Sequence, residues 1–234
     1  MSHAGSTRAV ERALGLLAEV ATVGSVSLSE AARRAQLPTS TALRLLRTLE
    51  TSGFVVRDPA GVFAAGPRLL QIGAYAVSRQ SLVRLALPGM QRIVAATGET
   101  TYLSIAGPRD TAVYIGMVEG THPVRHTSWV GQSMPSADLA VGRALAGEVP
   151  AEGYVAERDR SAPDVTAIAA PILRSGGVAG ALSLLGPTYR IDEETMRRYG
   201  RIVSQEAQAV ASVLAGGPES AGVGSTHPEE VSGR

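Results

Sequence analysis

The sequence predicts an α+β fold in which a small helical part with a hairpin precedes a larger part built on an antiparallel sheet. Apolar residues recur at helical spacing through most of residues 8–51, and strand patterns dominate residues 100–185. The 234 residues give room for one large domain or two small ones, and a hydrophobic fraction of 44% is enough for packed cores. Strands enclosed by helices in the second part favour a sheet with a cup on one face.

The composition excludes several classes of site. There is no cysteine, so neither a disulfide nor a thiolate metal site is expected, and the four histidines are scattered without metal-ligand spacing. We find no run of 18 apolar residues and no charged-then-apolar leader, which predicts a soluble, cytoplasmic protein without membrane contact. No nucleophile elbow or phosphate-binding loop is present, so we expect neither enzymatic activity nor a cofactor.

Charge is distributed unevenly along the chain. Residues 1–79 hold nine arginines against five acids, a net charge of +4, whereas residues 80–234 hold thirteen against sixteen, a net charge of −3. All 22 basic residues are arginine, which can fork onto phosphate and guanine edges, although genomic base bias would produce the same composition. The amino-terminal part is therefore the candidate for nucleic-acid binding.

The basic part begins with a pattern of short helices. Apolar spacing predicts three of them, at about 8–22, 29–35 and 38–51. Ser27 and Glu30 stand in capping-box spacing before the second helix, and Pro38 suits the first turn of the third. A tight turn between the second and third helices is typical of a helix-turn-helix.

The third predicted helix has two opposite faces. Its apolar face comprises Ala42, Leu45, Leu46 and Leu49. The other face carries hydroxyls and guanidiniums without an acid, whereas an ordinary solvated face mixes charges of both signs. We expect this face and the hydroxyls at the helix N-terminus to contact duplex DNA. The candidate contacts are Thr39, Ser40, Thr41, Arg44, Arg47 and Thr48, together with Ser29 at the start of the second helix.

A predicted hairpin follows the third helix directly. Phe54–Arg57 and Val62–Ala65 flank Asp58–Gly61, in which Asp, Pro and Gly occupy the first, second and fourth positions of a type I turn. Arg57 beside this turn is a candidate contact to phosphate or the minor groove. Two helices joined by a tight turn and followed by a two-stranded wing form a device for reading duplex DNA.

The second part alternates between helix and strand patterns. Two helices, at about 67–80 and 82–97, precede a hairpin of Thr100–Ile105 with Thr111–Val118. The remaining predicted elements are a strand near Val124–Trp129, a helix at about 136–146, a hairpin of Val165–Leu173 with Val178–Leu185, and a helix at about 192–215 capped by Asp192.

Short segments spread over residues 7–215 carry a resemblance. They include Leu28–Arg34, Leu37–Thr41, Gly53–Asp58, Thr97–Thr100, Gly142–Ala144 and Ile168–Pro171. Each is unspecific by itself, but the ordered set resembles the IclR family of bacterial transcriptional regulators. The resemblance implies a winged helix-turn-helix domain at 1–66, a linker helix at 67–81 and a GAF-like effector domain at 82–215. Residues 216–234, rich in Gly, Pro, Ser and Glu, are predicted to be disordered.

The resemblance also implies an effector site between the sheet and the loops over it. Carried over position by position, the candidate lining is Trp129, Met134, Asp138, Leu139, Glu157, Ala167, Ser183 and Leu185. Other interpretations stay open at this point, because Trp129 suits a core position equally well and Ser183 suits a bond to a neighbouring strand. Asp138 and Glu157 also fit solvated surface positions.

The chain departs from the family pattern in two ways. Ala137 and Ala167 stand where the family commonly has a histidine and a cysteine. Only Leu145–Glu152 lie between Gly142–Ala144 and Gly153, where the family usually carries further helices. We therefore expect a shortened effector domain with one side of the cup open.

These observations predict a DNA-binding transcriptional regulator that senses a small organic metabolite. The first domain would bind a palindromic operator as a homodimer, and the second would bind the effector and help to assemble a homodimer or homotetramer. The alternative is a regulator whose second domain only oligomerises and binds no effector. Repression and activation both remain open, because the sign depends on where the operator lies relative to a promoter.

Overall fold

The computed structural model describes residues 7–79, 81–126, 128–160 and 162–216. The helices described are α1 (Arg8–Val23), α2 (Leu28–Arg34), α3 (Thr39–Thr51), α4 (Pro67–Arg79), α5 (Ser81–Thr97), α6 (Ala140–Ala146) and α7 (Glu193–Gly216). The strands described are β1 (Ser25–Val26), β2 (Val55–Arg57), β3 (Phe63–Ala65), β4 (Thr100–Gly107), β5 (Thr111–Val118), β6 (Ser133–Pro135), β7 (Val155–Arg158), β8 (Val165–Arg174) and β9 (Gly177–Pro187). The α+β class predicted from the sequence is confirmed, and the expected disorder of 216–234 falls almost wholly outside the described residues.

The amino-terminal elements pack around one apolar cluster. Leu16 and Val20 of α1, Leu46 of α3 and Phe63 of β3 are almost completely buried in it. The Ser27 hydroxyl accepts a hydrogen bond from the Glu30 N–H at 3.3 Å, which gives α2 its N-terminal cap. The three helices predicted from apolar spacing are therefore confirmed.

The wing is a three-stranded antiparallel sheet in the order β1-β3-β2. Its turn is closed by a hydrogen bond from the Gly61 N–H to the Asp58 carbonyl oxygen at 3.0 Å. The Asp58 carboxylate also accepts the Val62 N–H at 2.8 Å, and Gly61 has a φ of +85° that favours glycine. The predicted hairpin is confirmed, while the two residues of β1 were missed because so short a strand has no readable alternation.

The wing is joined tightly to the linker helix α4. The Gly66 N–H donates to the Phe54 carbonyl oxygen at 2.8 Å, and a Cβ at Gly66 would collide with the Gly53 carbonyl oxygen. Pro67 then starts α4, where its missing N–H costs nothing. Leu69 packs against the amino-terminal cluster. The start of α4 is thus fixed to the wing by a backbone contact that only glycine permits.

The second part is a six-stranded antiparallel sheet in the order β6-β5-β4-β9-β8-β7. Helices α5 and α7 pack on one face through a cluster that includes Leu103, Leu182 and Leu184. Helix α6 packs on the other face through a second cluster that includes Tyr102 and Ala181. Neighbouring residues of one strand thus enter different cores, as the two-residue period of a strand requires.

Three predictions about the second part were wrong in detail. The described residues of 121–132 form a loop and not a strand, and the edge strand is β6 instead. Helix α6 begins at Ala140 and not at 136, because the Leu139 N–H closes a turn onto the Ser136 carbonyl oxygen at 3.0 Å and the Leu139 backbone is extended. Strand β7 was not predicted. The predicted final helix is confirmed, with the Asp192 carboxylate accepting the Thr195 N–H at 2.8 Å.

A buried ion pair ties the end of α5 to the segment before α7. The Glu99 carboxylate is fully buried and receives two hydrogen bonds from the Arg190 guanidinium, at 2.6 and 2.9 Å. Arg190 also donates to the Val124 carbonyl oxygen at 3.0 Å, so the pair holds the loop after β5 as well. Two parallel N–H···O bonds fix both the distance and the plane of the two groups.

Removing Arg190 should therefore destabilise the fold far more than removing a surface arginine. We expect Arg190→Ala to lower the free energy of unfolding by about 3–5 kcal/mol, because it removes the guanidinium that donates two hydrogen bonds to the buried Glu99 carboxylate and leaves, among the described basic groups, only His122 Nε2 beside it, at 3.8 Å. The control is Arg92→Ala, whose guanidinium is largely exposed in its pair with Glu206 and should cost about 0–1 kcal/mol. Urea titration measures both values, and equal losses would contradict this account.

Candidate nucleic-acid interface and ligand cavity

Helix α3 presents its polar face to solvent. Ala42, Leu45 and Leu46 are buried against α1 and α2, whereas Arg44 and Arg47 are exposed on the opposite side. The other exposed members of this face are Thr39, Ser40 and Thr48, and Thr41 is half-buried at its edge. Helical geometry places these side chains together, as the sequence pattern predicts, although their role in binding stays a prediction.

The two arginines of α3 differ from their neighbours in α2. Arg33 and Arg34 are bonded to the Glu30 carboxylate at 2.6 and 3.4 Å. Within the part of the chain that the structure describes, Arg44 and Arg47 form no ion pair. Their positive charges are therefore available to a partner outside the chain.

The hydroxyl groups near α3 are partly engaged within the protein. The Thr48 hydroxyl donates to the Arg44 carbonyl oxygen at 3.1 Å, which leaves it only as an acceptor for an outside group. The Ser29 side chain is exposed, and its hydroxyl lies 3.2 Å from that of Ser27. Both residues lie at the surface, but neither offers an unengaged hydroxyl.

Arg57 is held at the tip of the wing. Its guanidinium carbon lies 5.4 Å from the centre of the Phe63 ring, a cation–π contact, and its side chain is exposed. A Cβ at Gly61 would come within 3.1 Å of the Arg57 guanidinium, so the glycine in the turn leaves space for this position. The arginine is thus placed beside the turn by the wing itself.

A small cavity lies on the α6 side of the six-stranded sheet. Its volume is about 10 Å³, enough for about one water molecule. Six of the predicted effector residues line it, namely Trp129, Leu139, Glu157, Ala167, Ser183 and Leu185. Sequence reasoning missed three further lining residues, Tyr114, Val141 and Ala169. The inward positions of β5 and β8 and the buried face of α6 would have indicated them.

Two predicted effector residues lie outside this lining. Met134 of β6 is half-buried and packs against the same apolar cluster, away from the cavity. Asp138 is exposed, because it belongs to the turn that precedes α6 and not to the helix. The later start of the helix explains the position of Asp138, and the role of both residues in effector binding stays a prediction.

An aromatic cluster fills most of the space beside the cavity. The Trp129 ring stacks on Tyr102 at 5.9 Å and meets Tyr114 edge-on at 5.3 Å between ring centres. His126 packs against Trp129 at 4.0 Å, and its Nδ1 lies 2.8 Å from the Tyr102 hydroxyl oxygen. Trp129 comes from the loop and not from the sheet. One wall of the cavity is therefore a loop side chain that can move without unpairing a strand.

Glu157 brings a carboxylate to this apolar cavity. One oxygen accepts the Ala140 N–H at 2.8 Å, while the other is buried and lacks a hydrogen-bond partner in the described structure. Burial raises the pKa of Glu157, although the Ala140 hydrogen bond and the charges of Arg160 and Arg143 act to lower it. Burial, and to a smaller extent the Glu157 charge, raises the pKa of Tyr114 to about 12.

Ser183 adds a second polar atom without a partner. Its hydroxyl oxygen is buried on β9, lines the same cavity, and makes no hydrogen bond to any described residue. Buried polar groups are normally hydrogen-bonded, since leaving one unpaired costs about 1–3 kcal/mol. An unpaired carboxylate oxygen and an unpaired hydroxyl thus face one cavity, whose volume matches about one water molecule.

Comparison with known proteins identifies the family of the chain. Residues 9–59 match the family model described as the IclR helix-turn-helix domain. Residues 74–152 and 147–212 match the model described as the bacterial transcriptional regulator IclR C-terminal domain. The chain belongs to the IclR family. The second match comes in two pieces that meet within 147–152, between α6 and β7, where the sequence predicts a shortened connection.

Curated relatives of this IclR-family chain are transcriptional regulators and not enzymes. It is 26% identical to the HTH-type transcriptional regulator BhcR of Paracoccus denitrificans, over 90% of this chain and 88% of that protein. It is 25% identical to the transcriptional repressor IclR of Escherichia coli, over 91% and 92% of the two chains. These similarities extend through both matched domains.

Solved structures show the same fold. An IclR-family regulator from Alicyclobacillus acidocaldarius superposes with a TM-score of 0.75 at 26% identity, covering 89% of this chain and 99% of that one. An IclR homologue from Microbacterium hydrocarbonoxydans, solved in complex with 4-hydroxybenzoate, superposes with a TM-score of 0.73 at 23% identity, covering 88% and 98%.

Other classes of site find no support in the described residues. No group of three or more histidine, aspartate or glutamate side chains there is placed to hold a metal ion. No helix in those same ranges combines the length and the apolar character needed to cross a membrane.

The buried carboxylate of Glu157 should make stability depend on pH. Its pKa is higher in the folded than in the unfolded chain, so the folded state prefers the protonated form and loses stability as pH rises through the folded pKa. We expect Glu157→Gln, which stays neutral, to be more stable than the wild type at neutral pH. This advantage should shrink at acid pH, as measured by thermal unfolding over a pH series.

Glu148→Gln is the matched control, because the Glu148 side chain is exposed. It should leave the pH profile unchanged. If Glu157→Gln were less stable than the wild type at neutral pH, the attraction of Arg143 and Arg160 would outweigh burial, and the account above would be wrong.

Proposed function

We propose that this IclR-family regulator binds operator DNA through α3 and the wing as a homodimer and releases or retains it in response to a small organic molecule. The observation that carries the proposal is the exposed face of α3, on which Arg44 and Arg47 have no acidic partner among the described residues. Curated relatives include repressors, which supports repression as the mode of action.

The proposed contacts follow from where each group lies. Thr39, Ser40 and Thr41 surround the N-terminus of α3, where backbone N–H groups favour phosphate. Arg44 and Arg47 lie one and two turns further along, at the position from which a recognition helix reaches base edges in the major groove. Arg57 at the wing tip would touch the neighbouring phosphate or minor groove, and Ser29 the backbone beside α2.

A homodimer is supported by apolar side chains that stay exposed in the described part of the chain. Val10 and Leu14 are exposed on adjacent turns of α1, at 53% and 59%, and Leu70 and Ile72 are exposed on α4. Two-fold pairing would bury these side chains and place two copies of α3 on a palindromic operator. Assembly of dimers into a tetramer is a further step that these side chains do not address.

An effector site is supported by the polar atoms of the cavity and by the neighbour solved with 4-hydroxybenzoate. The alternative, a second domain that only oligomerises, is favoured by the small volume of the cavity, which holds about one water molecule. An effector changes DNA affinity only if it binds one arrangement of the domains more tightly, and typical couplings of about 1–3 kcal/mol change it several-fold to about a hundredfold.

Replacing the two α3 arginines should abolish operator binding. In Arg44→Ala and Arg47→Ala, we expect each substitution to cost about 1–3 kcal/mol of binding free energy, measured by fluorescence anisotropy on an operator selected from random DNA. A substitution that also makes the operator association constant less dependent on salt concentration removes a phosphate contact. A substitution that relaxes the preference for the operator sequence removes a base contact.

The control for the arginine pair is Arg197→Ala with Arg201→Ala on α7. This variant loses the same two charges from exposed positions outside the wing and helix-turn-helix. It should bind the operator as tightly as the wild type. If the protein carrying both Arg44→Ala and Arg47→Ala still bound the operator at moderate salt, with its fold and oligomer intact, the proposed recognition face would be refuted.

A charge placed on the exposed apolar side of α1 should weaken the dimer. We expect Leu14→Glu to raise the dimer dissociation constant at least about tenfold, because pairing would bury an unpaired carboxylate. Sedimentation velocity over a concentration series measures this change. Thr22→Glu adds the same charge at another exposed position of α1 and should leave the dimer unchanged. Unaltered association in Leu14→Glu would show that α1 does not form the interface.

A further inference from the structure

The two unpaired polar atoms of the cavity, one on Glu157 and one on Ser183, receive no hydrogen bond from the described residues. When it is ionised, the Glu157 carboxylate only accepts hydrogen bonds, and its free oxygen is buried with no N–H or O–H of the described residues directed at it. The Ser183 hydroxyl can donate or accept. An occupant that presents one hydroxyl or amine group would satisfy both atoms, whereas an occupant with acceptors only would leave the Glu157 oxygen unpaired.

The side chains that line the cavity disfavour an anion, although the charges of Arg143 and Arg160 act on Glu157 from outside the lining. Among the described residues that line it, none is arginine, lysine or histidine. The backbone N–H of Ala140 is already bonded to Glu157, and the His126 ring is bonded to the Tyr102 hydroxyl through Nδ1. A carboxylate in this space would meet the Glu157 carboxylate in apolar surroundings, where the repulsion between like charges is weakly screened.

The walls fit a flat aromatic ring. Tyr102 and Tyr114 present ring surfaces to the place that the Trp129 indole now fills, with ring centres 5.9 and 5.3 Å from it. Aromatic rings at such distances attract one another beyond simple burial. A ligand with a single aromatic ring, or with two fused rings, could replace the indole of Trp129 beside Tyr102 and Tyr114.

Entry of such a ligand requires Trp129 to leave. The remaining cavity of about 10 Å³ is far too small for any aromatic molecule, since it holds about one water. Trp129 is half-buried and lies in the loop between β5 and β6, which the Gly131 N–H anchors to the Tyr114 carbonyl oxygen at 2.8 Å. Rotation of a loop side chain opens the site without breaking the sheet.

We propose that the effector is an uncharged aromatic hydrogen-bond donor, of the chemical class of phenols and indoles, that displaces Trp129 and donates to Glu157, and that aromatic carboxylates are discriminated against. This inference rests on the proposed effector response and narrows it to a ligand class. Trp129 thus occupies the ligand's place in the empty protein, and its displacement couples binding to the loop between β5 and β6.

The first experiment titrates the full-length protein with matched ligands. Trp129 is the only tryptophan, so its fluorescence reports the site directly. Phenol and benzoate share one ring and differ in the polar group. We expect saturable fluorescence changes with phenol and a dissociation constant at least about tenfold lower than for benzoate, since sites built for a donor reject analogues that lack it.

Substitution of the acceptor tests its role. Glu157→Gln should bring the phenol and benzoate constants within about threefold of each other, because it removes the charge that repels the anion. Glu148→Gln, at an exposed position, should retain the wild-type ratio. A ratio unchanged in Glu157→Gln would overturn the assignment of Glu157.

A second variant tests the displacement of Trp129. In Trp129→Ala the vacated space should bind indole, measured by calorimetry and by a rise in melting temperature, as engineered apolar cavities bind molecules of the deleted shape. The wild type should bind indole at least about tenfold more weakly, because it must first expel its own indole. Loss of folding in Trp129→Ala would leave the fluorescence titration of the wild type as the deciding measurement.

The outcomes separate this inference from the proposed regulator function. Benzoate binding as tight as phenol binding would overturn the ligand class while leaving an effector site. No aromatic binding by the wild type or by Trp129→Ala would overturn the site and support a second domain that only oligomerises. Neither result touches operator binding, which is measured separately through Arg44 and Arg47.

Discussion

The alternation of side chains along the six-stranded sheet is the constraint on which the second part of the molecule depends. Along β9, Leu182 and Leu184 enter the core beneath α5 and α7, while Ser183 and Leu185 face α6 and the cavity. Strand β8 repeats this division, with Ile168 in one core and Ala167 in the other. A register slip of one residue would place a serine in the apolar core and a leucine in the cavity. The packing that stabilises the fold therefore also decides which groups can meet a ligand.

The cavity on the α6 side of the sheet has two kinds of wall, one formed by strands and the other by a loop. On the sheet side, β8 and β9 are held by strand pairing on both edges, whereas Glu157 lies on β7, which pairs only with β8. The loop side is formed by Trp129, which lies outside the strands and contacts them through the rings of Tyr102 and Tyr114. Unpaired polar atoms on the sheet side conflict with the general rule that buried polar groups are satisfied, and such conflicts concentrate where a protein does its work. The cavity thus combines unpaired polar atoms on the strands with a wall formed by the side chain of Trp129, which lies in a loop.

Sequence reasoning predicted the amino-terminal part well because its signals are local. The capping of α2 by Ser27, the turn at Asp58–Gly61 and the two faces of α3 each depend on residues close together in the chain. The cavity was harder, because the lining residues missed from the sequence, Tyr114, Val141 and Ala169, meet only through strand pairing and the packing of α6 on the sheet. Asp138 was misplaced because a turn and an extended backbone at Leu139 delay the start of α6. Polar satisfaction, which distinguishes the buried Glu157 oxygen from solvated acids, has no local signature at all.

The glycine between the wing and α4 has a mechanical consequence. Because Gly66 leaves no space for a side chain against the Gly53 carbonyl oxygen, the wing and the first turn of α4 are in direct backbone contact. We expect this contact to make the two elements reorient together. A tilt of α4 then swings the wing and α3 through the same angle. In a symmetric pair, opposite swings would change the separation of two recognition helices, and with it the spacing of half-sites that fits them. In the homodimer proposed above, the angle of α4 would therefore determine which half-site spacing the protein accepts.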